Sequence, residues 1–208
     1  MNGKSHAILG AAASALALAI QEVDIIDEPL VYVPALIMGV LGGLFPDIDS
    51  ANNTFRKSLR LSSSQTRRDL QRTPISRPVA LFYNVARFII ARILNLLDRF
   101  LPHRGPTHFL ISAVFVTWLV YWFCTAWGLH HAIWITFGAG YISHLVGDGV
   151  TIRGVRAFGP IYQPAIHLMP RRLRVRVGTQ SESVMLVLLV GIIFWFYLSY
   201  VGLVSFNI

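Results

Sequence analysis

Charge is what this chain has least of. Asp, Glu, Lys and Arg supply 13% of its 208 residues, about half the share usual in soluble domains, while 54% are hydrophobic. That excludes an ordinary water-soluble globule. Cysteine occurs once, as Cys124, which excludes a disulfide framework and a cysteine-built metal site, so a metal would have to be held by His and carboxylates. Carboxylates are scarce too: there are ten, and four of them crowd into "QEVDIIDE" at 21 to 28. The basic runs carry no interleaved aromatic platform, so the formal charge of +8 does not point to nucleic acid. In a chain this apolar, an excess of Arg is first a topology signal. Internal repeats and low-complexity tracts are absent as well.

What the chain has in quantity is long apolar runs. Those at 29 to 46, 109 to 129, 132 to 147 and 184 to 204 approach the roughly 20 residues that span a bilayer. A shorter, alanine-rich run from Ala7 to Ile20 reads as a retained helix, because a signal peptide would start with more positive charge than Lys4 alone. The fold class expected is therefore an all-α integral membrane helical bundle of about five spans, the first one short, in a single domain over residues 1 to 208.

Charge placement orients it. Between 51 and 78 stand Arg56, Lys57, Arg60, Arg67, Arg68, Arg72 and Arg77 against Asp69, and between 153 and 182 six arginines against Glu182. Such loops stay cytoplasmic. The acidic connection at 21 to 28 and the turn "GLHH" at 128 to 131 fall on the opposite side, which puts the N-terminus inside. Residues 79 to 101 mix Arg87, Arg92, Asp98 and Arg99 into apolar sequence. Charges within a lipid-facing span cost several kcal/mol each, so this segment reads as an amphipathic helix at the inner interface, in contact with anionic lipid headgroups.

On that topology the unusual residues converge on one membrane level. Asp47 and Asp49 form "FPDIDS" at the inner end of the second span, where Pro46 breaks the helix and an extended segment would send both carboxylates one way. His103, Arg104 and His108 lie in "LPHRGPTHFL" before the third span, His144 and Asp148 in "SHLVGDG" at the inner end of the fourth, and Glu182 precedes the fifth. His6 opens the first helix on the same side. His144 and Asp148, at i and i+4, share a helix face and form a competent half-site. Imidazole with carboxylate suits Zn²⁺, with Mn or Fe as alternatives. Two ions would use this many donors best, clamping the attacking and leaving oxygens of a phosphoester displacement. Arg104 would hold the phosphate in bidentate fashion. Each feature also has a plainer reading, as helix cap, buried polar pair or snorkelling Arg, and His130, His131 and His167 are left at that.

The stretches "GKSHAILG", "LGGLFPDIDS", "HRGPTH", "GYISHLVGDGVT" and "RVRVGTQSE", in that order and spacing, resemble the YdjM-type family of inner-membrane, LexA-regulated metal-dependent hydrolases. The resemblance covers most of the chain. It implies a multi-pass inner-membrane protein of the SOS response with His6, Asp47, Asp49, His103, His108, His144 and Asp148 as polar signature residues and Glu182 as the acid before the last span. Some relatives carry His-Pro after the second Asp; Ser50 and Ala51 stand there in this chain, so that ligand is missing. The His-x-x-x-Asp element is also similar to one in the zinc-dependent phospholipase C and P1 nuclease superfamily, which implies phosphoester cleavage.

The expectation is then a membrane-bound metal-dependent hydrolase acting on a phosphoester, such as a phospholipid or lipid-linked phosphate, at the cytoplasmic face. Asp47, Asp49, His103, His108, His144, Asp148 and His6 would hold the metal, with Arg104 and Glu182 in catalytic support. A divalent-metal or proton transporter would need polar residues through the depth of the spans, and "LVYWFCTAW" at 119 to 127 has no charge. A metal-stabilised membrane adaptor is the third alternative.

Overall fold

The structure is a computed structural model that describes residues 1–49 and 106–201, with only the backbone of 48 and 49. The basic loop at 51–78, the helix expected at 79–101, His103 and Arg104 lie outside the described residues. Two compact units divide the chain, one of Met1–Pro46 with Pro106–Ile208 and one of Asp47–Gly105.

Five α-helices and no strands occur among the described residues: α1 (Gly3–Ile20), α2 (Pro29–Leu44), α3 (Leu110–Ala126), α4 (Ala132–Gly149) and α5 (Gln180–Tyr200). The chain is the helical membrane bundle its composition calls for. Three helical stretches are long and apolar enough to cross a membrane, Gly3–Ile20, Pro29–Asp47 and Gln180–Tyr200, and α3 is a shorter apolar helix.

Helix ends follow local chemistry. α1 starts at Gly3, ahead of its apolar run, because the side chain of Asn2 accepts from the Ser5 amide at 2.9 Å, a standard N-cap. It stops in a paired-bond motif: Val23 N–H donates to Leu18 and Glu22 N–H to Ala19, with Glu22 at φ 58. Val23 and Leu18 are both buried in one apolar cluster, the hydrophobic contact that accompanies such an ending. α3 closes the same way at Gly128, whose φ of 63 suits a residue without Cβ. α2 carries Pro29 at its first position and ends at Leu44, before Pro46.

α1 is the hub. It packs on α2, α4 and α5, α2 also packs on α4, and α3 lies along α4. Where α1, α2 and α4 meet, backbone touches backbone. A Cβ on Gly10 would stand 2.8 Å from the Gly39 carbonyl, one on Gly43 2.7 Å from the His6 carbonyl, and one on Gly140 would overlap the Gly39 backbone. In a bilayer, helices gain little from hiding apolar surface from each other, so close van der Waals approach at small residues is the main adhesive. The outward faces of α3 and α5, with Ile111, Val114, Trp122 and Val187 more than 60% exposed, are suited to hydrocarbon rather than water.

After α4 the chain folds back over the helix end without forming a sheet. Single bridges join Thr151 to Val175 and Val155 to Ile166, and Leu168 N–H donates to the Gly149 carbonyl at 2.8 Å. The way into α5 turns at Gly178, φ 84, and the Gly178 amide donates to Glu182 at 2.6 Å.

Candidate metal centre

Four side chains from three elements meet where α1 begins and α4 ends. His6 comes from the first turns of α1, His144 and Asp148 from one face of α4, and His108 from a 3-10 turn at Pro106–His108 that precedes α3. All four are buried, His6 and His144 completely. One donor atom each from His6, His144 and Asp148 fall within 4.8 Å of one another.

Asp148 is the centre of the group. Its Oδ1 lies 3.2 Å from Nε2 of His6, and its Oδ2 lies 3.6 Å from Nε2 of His108 and 3.8 Å from Nε2 of His144. The amino nitrogen of Met1 also contacts Oδ1. The His6 and His144 rings stack with centroids 3.6 Å apart and planes 17° apart, and the His108 ring meets His144 edge-on at 5.3 Å.

Backbone carbonyls and hydroxyls aim these rings. Nδ1 of His144 lies 2.7 Å from the Gly43 carbonyl. A carbonyl only accepts, so Nδ1 carries the proton and, in the neutral ring, Nε2 presents its lone pair toward Asp148. This Nδ1–H to carbonyl bond is also the arrangement that fixes the tautomer and orientation of metal-ligating histidines. His108 is aimed through its neighbour: Thr107 Oγ1 is 3.2 Å from His108 Nδ1, and the buried Tyr141 hydroxyl donates to the Thr107 carbonyl at 2.6 Å. Tyr141→Phe is expected to cost about 1 kcal/mol and to weaken divalent-ion affinity about tenfold, as outer-sphere changes do. A chelator-competition titration reads the second effect directly.

The donor set fits a divalent cation. Two or three imidazole nitrogens with one carboxylate oxygen match Zn²⁺, and Mn²⁺ or Fe²⁺ less selectively. His6 adds a separate reason. Its Nε2, the atom that faces Asp148, is fully buried with no hydrogen-bond partner among the described residues, a state that costs about 1–3 kcal/mol unless something coordinates the atom.

The structure thus brings together His6, His108, His144 and Asp148. Asp47 and Asp49 stand on a 3-10 turn, Phe45–Asp49, not on the extended segment expected. In a turn with about three residues per revolution, positions i and i+2 diverge rather than share a direction, so their spacing does not by itself aim two carboxylates one way. The Asp49 side chain, His103 and Arg104 lie outside the described residues.

Glu182 is elsewhere. It is buried in the first turn of α5, where Oε1 accepts from the Asn2 amide at 2.6 Å and the Ser5 hydroxyl at 2.9 Å and Oε2 accepts from Gly178. Those bonds tie the start of α5 to the turn of α1 that carries His6. His130 serves as a cap, its Nδ1 accepting from the Ala132 amide at 3.2 Å. The sequence reading missed the Gly43 carbonyl, Thr107 and Tyr141. Only the "GVLGG" run at 39 to 43, a small-residue spacing typical of tight helix pairs, signals that the α2 backbone comes within reach of α4.

Residues 1–206 match the family described as YdjM inner membrane protein. No curated protein and no solved structure matches the chain.

Proposed function

The chain belongs to the YdjM inner membrane protein family, and from that premise and the buried His/Asp group we propose that it is a membrane-bound metal-dependent hydrolase acting on a phosphoester at the cytoplasmic face. The observation that carries this reading is the group itself: His6, His144 and Asp148 buried with donor atoms within 4.8 Å. His144 is also pre-aimed by the Gly43 carbonyl at 2.7 Å.

In this reading His6, His144 and Asp148, with His108 beside them, hold one divalent ion, Zn²⁺ fitting best. Asp47, Asp49 and His103 contribute to a second. Such an ion supplies positive charge to a phosphoryl oxygen and acidifies water. The chain's own residues do the rest. Gly43 and Thr107 keep the imidazoles oriented. Burial of the group excludes bulk water and strengthens its electrostatics. Arg104 would grip the phosphate through its planar fork, and the basic loops would raise the local concentration of anionic lipid. Glu182, its oxygens already taken by three hydrogen bonds, acts as the tie between α1 and α5.

Transport is the weaker reading. Among the described residues the buried histidines and carboxylates are His6, His108, His144, Asp148 and Glu182, all at one end of their helices. The buried polar groups farther along, Ser14 and Thr136, bond to carbonyls of their own helices. A path across the membrane would need ionisable groups through its depth.

The test is release of the water-soluble product of phosphoester cleavage, headgroup from anionic phospholipid vesicles and alcohol from soluble phosphoesters, by purified protein. Release that stops with chelator, returns with Zn²⁺ or Mn²⁺ and is absent in His144→Ala is the expected result. A metal-loaded wild type that cleaves neither class of substrate would sink the proposal.

A further inference from the structure

α4 and α5 both pack on α1 and scarcely touch each other. Between them, with α1 as floor, runs an apolar groove of about 520 Å³. We infer that this groove seats one acyl chain of the lipid whose phosphoester the metal group cleaves, so that the substrate is drawn from the leaflet and not from water. The inference rests on the hydrolase reading and names the substrate class for that same site.

The floor is one stripe of α1. His6, Leu9, Ala13, Ala17 and Ile20 recur at helical spacing, so the stripe that supplies a metal donor continues as the groove lining from Leu9 onward. At that end the two features meet: a Cβ on Gly147 would stand 3.1 Å from Leu9 Cδ1 and 3.4 Å from His6 Cε1. Val146, on the α4 wall, is two residues from Asp148. Depth comes from small side chains, Ala13 and Ala17 below and Ala139 on the wall.

Dimensions select the occupant. From Leu9 to Ile20 the stripe runs about 16 Å at 1.5 Å per residue, close to the roughly 15 Å of one leaflet's hydrocarbon. The lining over that length is apolar save for Ser143, the surface a lipid acyl chain lies against. The flanks agree, since α1 and α5 are long and apolar enough to lie in the hydrocarbon, and Ser143, the polar residue in the lining, turns its hydroxyl to the Gly140 carbonyl at 2.7 Å.

The experiment uses the full chain in vesicles of phosphatidylglycerol carrying a photoreactive diazirine on one acyl chain. After irradiation, labelled residues are mapped by mass spectrometry, and headgroup release (glycerol phosphate or glycerol) and bound metal are measured on the same preparations. Labelling at Ala13, Leu16, Ala139 and Ile142 at least tenfold above the outward Phe115 and Trp122 of α3 is expected. Ala139→Phe, and Ile142→Trp in case the first misfolds, should each cut that labelling and the headgroup release at least tenfold while bound metal stays at the wild-type level. Even labelling over all outward faces, with release intact, overturns the groove and leaves the hydrolase reading standing. Focused labelling on protein that binds no metal or releases no headgroup overturns the substrate assignment through failure of the hydrolase reading, and marks the lipid as structural.

Discussion

Asp148→Asn is expected to abolish divalent-ion binding, an affinity loss of more than about 100-fold, because even residues one step removed from a metal change affinity by 10–100-fold. Among the described residues Asp148 is the one carboxylate in contact with all three histidines, with its two oxygens between 3.2 and 3.8 Å from their Nε2 atoms. Asparagine keeps the volume and removes the negative charge that draws a cation there. His144→Ala should have the same outcome, since it removes the imidazole that Gly43 orients. Elemental mass spectrometry of purified protein gives the stoichiometry. Thermal unfolding gives a second reading: metal at 100 times its Kd adds about 2.7 kcal/mol to a protein that binds it only when folded, and neither variant should gain that increment. Glu182→Gln is the contrasting case. An amide cannot accept from Gly178, Asn2 and Ser5 together, so it should lose about 1–3 kcal/mol of stability while binding the wild-type number of ions. Wild-type protein that carries no metal and melts at the same temperature with chelator would reduce the His/Asp group to a buried polar tie between helices.

Much of that site is legible in the sequence because a bilayer is a strict filter. Ionisable side chains near apolar spans stand out, and the charge asymmetry of the loops alone puts His6, His108, His144 and Asp148 on one side. The i, i+4 pair needs only helical periodicity. Legibility fails where local backbone decides. "FPDIDS" reads as extended after Pro46, yet it winds into a 3-10 turn, a tighter continuation of the preceding helix that i, i+2 spacing does not reveal. The anchors of the rings were also invisible, because a backbone carbonyl such as that of Gly43 has no letter in the sequence. Glu182 was legible as an acid near the site but not as a clamp, since its partners Asn2 and Ser5 lie more than 170 residues away in the chain.

Gly140→Val should unravel the centre without touching a ligand. Gly140 lies on α4 one turn before His144, and a Cβ there would overlap the Gly39 carbonyl and stand 2.9 Å from the Gly43 amide. These are backbone atoms that cannot rotate away, so α2 must retreat from α4. Overpacking a well-filled contact typically costs about 1–3 kcal/mol, and the expected loss is at the top of that range because three helices share the junction. The consequence for function is the larger one. Retreat of α2 lengthens the 2.7 Å bond from His144 Nδ1 to the Gly43 carbonyl, and the ring loses its fixed tautomer. Gly43 is itself wedged against α1, where a Cβ on it would stand 2.7 Å from the His6 carbonyl and 3.1 Å from the Gly10 Cα, so displacement there also reaches His6. Gly140→Val should therefore lose metal affinity along with thermal stability. Gly138→Val, on the same helix but facing the Thr117 side chain at 3.0 Å, meets a methyl group that can move and should keep the metal. If both variants bound metal like wild type in the same chelator competition, the glycine junction would be a matter of folding alone, and the orientation of His144 would not depend on α2.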